Sequence, residues 1–585
     1  MRNRNSYWLG PWSQDRDSNR PRFIDVPIFI LVVALIWIVG SMGRDMSTSF
    51  SGVSPALDMA YKHIPYYTAR STLRMFIAYG FSLLFTLIVG YIAAHSTRAR
   101  TLILPILDIL QSVPVLGFLS VTITGFMSLF PGSLLGVEAA SIFAIFTAQV
   151  WNMTFGFYHS LVTIPRDLTE AATAFDLTPW ERFKTVELPS GAISLIWNSM
   201  MSFGGGWFFV VQSEAISVLN RKIALPGLGS YLSLALERGD TKAAWIAVLA
   251  MMFVVVLIDQ IFWRPIVAWS QKYRVELVES TETQTSWALE LGRRSWILRR
   301  LFTLATSAFA KITDFLMTNT MDRAQTRLNR NPFYQKFADS FSMVLIFTIL
   351  MLIGYESVRL VREIHTNMNP EEIRRIFKLG LFTMGRVFIM VAVATLVWTP
   401  IGVWIGFRPT IAKFAQPLAQ IAASFPVNMA FPFIVGFFIG HSISINWGSI
   451  LLLALGTQWY ILFNVIAGAS SVPSDLKESA AVFGLRGWRY WRTLIIPAIF
   501  PYWVTGACTA AGGAWNASIV AEFVNWGNKT LIADGLGAFI TQVTARGDWP
   551  AIFCSILVMS VFVVILNRLL WRNLYDLAEK KYRLE

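Results

Sequence analysis

Long apolar runs separated by short polar stretches dominate the chain from residue 26 onward. A helix that crosses a bilayer needs about 20 consecutive apolar residues. The first half offers such runs at roughly 26–42, 75–96, 102–129, 135–160, 191–212 and 243–263. The second half offers them at roughly 341–359, 381–406, 411–440, 446–468, 496–520 and 550–570. The pattern predicts an all-α polytopic membrane protein with about twelve transmembrane helices, six per half, several interrupted by Pro or Gly. Between the halves, 265–338 breaks the pattern, with Arg293, Arg294, Arg299 and Arg300 set among Trp296, Ile297, Leu298, Leu301 and Phe302. This stretch is too charged to span and predicts an amphipathic helix on the inner membrane surface. The expected organisation is a cytoplasmic N-terminal segment (1–25), a first repeat (26–264), a cytoplasmic amphipathic linker (265–338), a second repeat (339–572) and a cytoplasmic tail (573–585).

The halves are internally similar. At a constant offset of 308, Pro165, Asp167, Leu168, Glu170, Ala172, Phe175, Leu177, Trp180, Thr185 and Pro189 recur as Pro473, Asp475, Leu476, Glu478, Ala480, Phe483, Leu485, Trp488, Thr493 and Pro497. The register continues through Gly204, Gly205, Trp207 and Glu214 against Gly512, Gly513, Trp515 and Glu522. It also holds for Gly227-Leu-Gly229 against Gly535-Leu-Gly537. Upstream the offset is 312: Arg74, Gly90, Pro105, Ser112 and Pro114 recur as Arg386, Gly402, Pro417, Ser424 and Pro426, so the first half carries four extra residues near 130–140. An even number of spans per half makes the repeats parallel, related by a pseudo-twofold axis along the membrane normal.

Composition agrees with the apolar pattern. Only 14% of residues are charged, against about 25% in soluble domains. The 23 Trp and 44 Phe suit interfacial anchoring. A net charge of +14 would suggest nucleic acid in a soluble protein, but here basic residues gather in loops held on the cytoplasmic side. Arg98, Arg100, Arg166, Arg182, Lys184, Arg408, Lys413, Arg486, Arg489 and Arg492 all fall inside if the chain starts inside, as Arg2, Arg4, Arg16, Arg20 and Arg22 indicate. Arg374 and Arg375, beside Glu371 and Glu372, are the exception. The expectation is a prokaryotic cytoplasmic membrane protein with both termini cytoplasmic. Cys508 and Cys554 lack metal-ligand spacing, and the five His form no cluster with Asp or Glu. A metal site and a membrane-embedded enzyme are therefore disfavoured.

The inner loop after the fourth span of each half holds a polar helical stretch ending in Pro. The first reads Glu170-Ala171-Ala172, then Asp176, then Val186-Glu-Leu-Pro189; the second reads Glu478-Ser479-Ala480, then Gly484, then Leu494-Ile-Ile-Pro497. Ala favours short helices of small profile, and Gly at a bend permits the left-handed backbone. Thr178-Pro-Trp180-Glu181 has the form of a capping box with Pro at the first helical position. These loops resemble the EAA loop of ABC-importer permeases, which in that family is the coupling helix that docks on the ATPase. Asp176 stands where the family has Gly, and Ser479 where it has Ala. Since no Gly-x-x-x-x-Gly-Lys-Ser/Thr loop occurs, the resemblance implies that ATP and Mg are bound by separate ATPase chains, two per permease.

The Gly-Gly, Trp, Glu and Gly-Leu-Gly order after each loop resembles the nitrate/sulfonate/taurine-type anion importer permeases in duplicated form, over roughly 74–265 and 386–572. That implies a type I ABC-importer permease fold, an extracytoplasmic substrate-binding protein and a small anion such as nitrate, a sulfonate, taurine or bicarbonate. Polar residues inside a membrane are functional candidates. Glu214 and Glu522 lie at the predicted outer ends of their spans, as a gate, an ion pair with Arg74 and Arg386, or interfacial groups. Gln111, Ser112 and Ser424 sit beside Pro114 and Pro426, where freed backbone groups either line a path or mark packing kinks. Trp207 and Trp515 either face the path or pack. A secondary transporter with two parallel six-helix repeats shares this architecture, but it would not need twin Ala-rich inner loops.

Overall fold

In a computed structural model of the chain, the described residues are 25–49, 57–218, 221–273, 286–318, 332–526 and 529–582, and most are helical. The first half runs α1 (Asp25–Asp45), α2 (Ile64–His95), α3 (Thr97–Ser112), α4 (Leu119–Leu129), α5 (Leu135–Val162), α6 (Arg166–Ala174), α7 (Pro179–Arg182) and α8 (Leu188–Glu214). A hairpin follows, β1 (Ala215–Val218) with β2 (Arg221–Ala224), then α9 (Leu228–Glu237), α10 (Thr241–Ile258) and α11 (Arg264–Ser270). The linker contributes α12 (Trp287–Arg294) and α13 (Trp296–Met317). The second half repeats the order: α14 (Pro332–Asn367), α15 (Pro370–Gly406), α16 (Pro409–Ser424), α17 (Phe431–Gly440), α18 (Ile445–Ser470), α19 (Ser474–Val482), α20 (Gly487–Tyr490) and α21 (Ile496–Ala521). It closes with β3 (Phe523–Trp526), β4 (Lys529–Ile532), α22 (Leu536–Arg546), α23 (Trp549–Leu566) and α24 (Arg572–Lys581).

Seven helical segments among the described residues are long and apolar enough on their own to cross a membrane. The third span of each half is not one helix but two. Pro114 and Pro426 supply no N–H and bar the preceding residue from helical geometry, and Val113 and Phe425 accordingly sit at ψ 126° and 127°. Helix also runs past two expected boundaries: α11 reaches Ser270, and α14 starts at Pro332, inside the stretch read as linker. The two antiparallel hairpins, with Ala215 opposite Ala224 and Phe523 opposite Ile532, were not expected of an all-α chain. Each brings the chain back to the helix it left, since Leu225 N–H donates to the Glu214 carbonyl at 2.9 Å and Ala533 N–H to that of Glu522 at 2.8 Å. The repeat offset changes across the end of α4, the turn after it and the first turn of α5, where the four extra residues are absorbed.

Helices α2, α5 and α8 pack together in the first half, and α15, α18 and α21 in the second. Lipid tails are as apolar as Leu, so such contacts depend on close approach at small residues. Gly90 faces Phe157, Gly402 faces Val465, and Gly506 lies against the Tyr460 carbonyl, each at a distance that leaves no room for a Cβ. The broken third spans cross over: Val115, Leu116, Leu119 and Ile123 join the second half's core, while Met429, Phe425 and Phe433 join the first half's.

Wide π turns at Phe183–Glu187 and Trp491–Ile495 lead into α8 and α21, directly ahead of Pro189 and Pro497. A proline ring clashes with the carbonyl four residues back, and the extra residue in the turn relieves that clash.

Candidate functional site

The two Ala-rich loops fold alike. Pro165 and Pro473 flank short helices in which Ala172 and Ala480 are buried, whereas Glu170, Ala171, Glu478 and Ser479 are exposed. The third residue of the motif therefore holds the loop helix on the bundle, and the first two face outward. The helices end through Leu177 N–H to the Ala172 carbonyl (3.2 Å) and Leu485 N–H to that of Ala480 (2.9 Å). Both closures need a left-handed residue, supplied by Asp176 at φ +49° and Gly484 at φ +64°. Asp tolerates this conformation better than most side chains. Beyond the bend, Thr178 and Glu181 form a capping box, with Glu181 N–H to Thr178 Oγ1 at 3.3 Å and Thr178 N–H to Glu181 Oε2 at 3.1 Å. Phe175 and Phe483, missed as candidates although the repeat paired them, stand 78% and 80% exposed just before the bends.

The loops differ in what holds them. In the first, Glu187 is buried and pairs with His95 Nε2 at 2.9 Å and Arg182 Nε at 2.8 Å. Trp180 donates its indole N–H to Asp314 of α13 at 2.7 Å, and Lys184 reaches the same carboxylate at 2.9 Å. The second loop has apolar Ile495 in place of Glu187 and Phe407 in place of His95, with Lys477 over the Phe407 ring at 4.6 Å. Trp488 is 70% exposed.

At the opposite end, the Arg, Glu and Gly-Leu-Gly positions converge. Arg74 Nη1 donates to Glu214 Oε1 at 2.7 Å, and Arg386 Nη1 to Glu522 Oε1 at 2.8 Å. Glu214 also accepts from Ser71 Oγ (2.6 Å) and Gly229 N–H (2.8 Å), and Glu522 from Thr383 Oγ1 (2.8 Å) and Gly537 N–H (2.8 Å). Each carboxylate thus binds the free N–H groups at the start of α9 or α22, a favourable place for negative charge. A Cβ on Gly227 or Gly535 would overlap the carboxylate, and one on Gly229 or Gly537 the backbone of α8 or α21. Both carboxylates are fully buried, so they are not interfacial groups in contact with solvent. The first half adds a second buried pair: Glu138 accepts from Arg74 Nε at 2.5 Å and bonds to Arg70. Asn446 stands in place of Glu138 and Phe382 in place of Arg70, with Arg386 Nη2 donating to Asn446 Oδ1 at 2.8 Å. Glu138 escaped sequence reading because it lies next to the shift in repeat offset, which hides its counterpart.

The broken third spans meet the opposite half. Val115 N–H donates to Asn516 Oδ1 of α21 at 2.8 Å, and Asn428 Nδ2 to the Phe208 carbonyl of α8 at 3.2 Å. Pro114 and Pro426 are buried in these crossings. Gly204, Trp207, Asp259, Gln420 and Ser424 line a small cavity between the halves, and a Cβ on Gly204 would lie 2.6 Å from Ser424 Oγ. Trp207 borders that cavity with its ring against Phe203, whereas Trp515 stacks on Phe562 within the second half. Gln111 is exposed near the end of α3, and the Ser112 side chain lies outside the described residues.

The chain is 24% identical over 195 residues to the nitrate import permease protein of Leptolyngbya laminosa, covering 32% of this chain and 66% of that one. It is 25% identical over 189 residues to the bicarbonate transport system permease protein of Synechocystis sp., covering 32% and 64%. It is also 25% identical over 174 residues to the glycine betaine/carnitine transport permease protein of Listeria monocytogenes, covering 30% and 56%. The chain thus spans less than two thirds of the length of each of these relatives. The family described as binding-protein-dependent transport system inner membrane component matches twice, at residues 86–262 and 398–583. Matched over both repeats, and so over more than half its length, this chain belongs to that family and is a multi-pass ABC transporter permease carrying two permease units in one polypeptide.

Proposed function

We propose that this chain forms the whole translocation path of an ATP-driven importer and docks two ATPase subunits, one on each Ala-rich loop. The observation that carries this reading is the matched pair of exposed loop helices, each ending in a solvent-facing phenylalanine, Phe175 or Phe483. In this reading the loop face is cytoplasmic, both termini lie on that side, and an extracytoplasmic binding protein delivers substrate to the face bearing the hairpins. The path runs between the halves, past Gly204, Asp259, Gln420, Ser424 and Asn428; Asp259 is paired with Arg264 at 3.1 Å, and the other polar groups are uncharged amides, a hydroxyl and backbone. Such donors suit a small oxyanion of the nitrate, bicarbonate, sulfonate or taurine class; the nitrate and bicarbonate permeases among the relatives support an anion. Glu214 and Glu522 serve as buried clamps for the α9 and α22 ends rather than as ligands, since a carboxylate repels an anion.

The test is reconstitution with a candidate Walker-motif ATPase and a candidate binding protein, scored by ATP hydrolysis and by uptake. Nitrate, bicarbonate, an alkanesulfonate, taurine and glycine betaine are offered in turn. ATP-dependent uptake of one of the anions is expected. Uptake driven by an ion gradient without any ATPase would overturn the importer reading, and uptake of glycine betaine alone would overturn the anion class.

A further inference from the structure

Helix α13 is held at both ends. At its start, Asp25, the first residue of α1, accepts from Ser295 Oγ at 2.6 Å and from Ile297 N–H at 3.2 Å, while Ser295 Oγ caps Leu298 N–H at 3.2 Å. At its far end Asp314 holds Trp180 and Lys184 of the first loop. A helix of 22 residues reaches about 33 Å, so α13 bridges the foot of α1 and the foot of α8. Both anchors sit where a membrane-crossing helix meets the loop face, which lays α13 parallel to that surface.

Its faces divide accordingly. Leu301, Leu304, Ile312 and Phe315 are all exposed and fall on one stripe at helical spacing, with Ala308 between them. Arg300 and Lys311, also exposed, lie along one edge of that stripe. An apolar stripe edged by cations fits the boundary between acyl chains and anionic headgroups. Among the described residues the second loop shows no such attachment at the matching positions, where Trp488 and Arg492, the counterparts of Trp180 and Lys184, are exposed.

We propose that α13 is a membrane-surface strut whose apolar stripe seats in the lipid leaflet and whose Asp314 end fixes the first loop, so the bilayer positions one coupling loop and not the other. The consequence for ATPase docking rests on the function proposed above; the strut itself does not, and its test needs no ATPase. The full chain, with Cys508 and Cys554 replaced by Ser, is placed in nanodiscs of phosphatidylcholine with phosphatidylglycerol and spin-labelled at one cysteine at a time. Labels at Leu304→Cys and Ile312→Cys should be open to oxygen and shielded from a water-soluble nickel chelate, and a label at Thr303→Cys should show the reverse. Asp314→Ala, and independently Lys184→Ala, should raise the mobile component of a label at Phe175→Cys and leave one at Phe483→Cys unchanged. Nickel access to the stripe labels, an unchanged Phe175 label, or equal loosening at both loops would each overturn the proposal. The Phe483 label separates loss of the strut from general misfolding.

Discussion

Asp176 and Gly484 show how one backbone demand is met by two residues. Both occupy the left-handed region, where a non-glycine residue costs roughly 1–2 kcal/mol. Asp176→Gly should therefore leave the first loop intact or slightly firmer, and Gly484→Val should disorder the second. Hydrogen exchange across 166–182 and 474–490 would read both outcomes. The buried clamps are less forgiving. Removing one partner of a buried ion pair costs about 3–5 kcal/mol, so Glu214→Gln and Glu522→Gln should each lower the melting temperature in detergent. Gly227→Ala should do so as well, because its methyl overlaps the Glu214 carboxylate. A thermal scan matching wild type for all three would remove the structural role assigned to the clamp. The Arg74 and Glu214 positions were legible as a repeated pair, but their partners Arg70, Ser71 and Glu138 were not, because burial and pairing arise only on packing.

At the scale of elements, each loop is a small unit: a helix seated by one buried alanine, a left-handed bend, a second short helix, a wide turn and a proline. The composition and order of this unit were readable from the chain, because caps, bends and prolines act locally. Its orientation was not: burial of Ala172 and Ala480 seats each helix and leaves Phe175 and Phe483 exposed. Replacing Glu170 and Glu478 by Ala, or deleting either loop, should uncouple ATP hydrolysis from uptake in reconstituted membranes while the chain remains folded. Phe175→Ala with Phe483→Ala should weaken ATPase capture in a pull-down. Wild-type transport in the double Glu variant would count against a coupling role for those carboxylates. The third spans make the complementary point: an apolar run of sufficient length read as one helix, and Pro114 and Pro426 divided it.

For the molecule as a whole, the halves are not independent bundles. Val115, Leu116, Leu119 and Ile123 pack in the second half's core, and Phe425, Met429 and Phe433 in the first half's, so either half expressed alone should aggregate, whereas co-expressed halves should copurify. On the function proposed above, a path between the halves opens where Gly204 meets Ser424. A Cβ at Gly204 would stand 3.4 Å from that of Ser424, close to the separation a disulfide requires. Gly204→Cys with Ser424→Cys, in a background lacking Cys508 and Cys554, should cross-link on oxidation and stop uptake, with reductant restoring it. Uptake by the fully cross-linked protein would place the path elsewhere.

Sequence alone determined the membrane class, the duplication and the loop motifs, because these depend on hydrophobic runs, fixed offsets and local caps that folding need not complete. Tertiary structure decided which half each broken span serves, that Glu138 joins Arg70 and Arg74, and that Asp314 reaches Lys184. Those pairings join residues 64 to more than 400 positions apart. No local period encodes them, and they exist only once close packing has brought desolvated charges and small residues face to face.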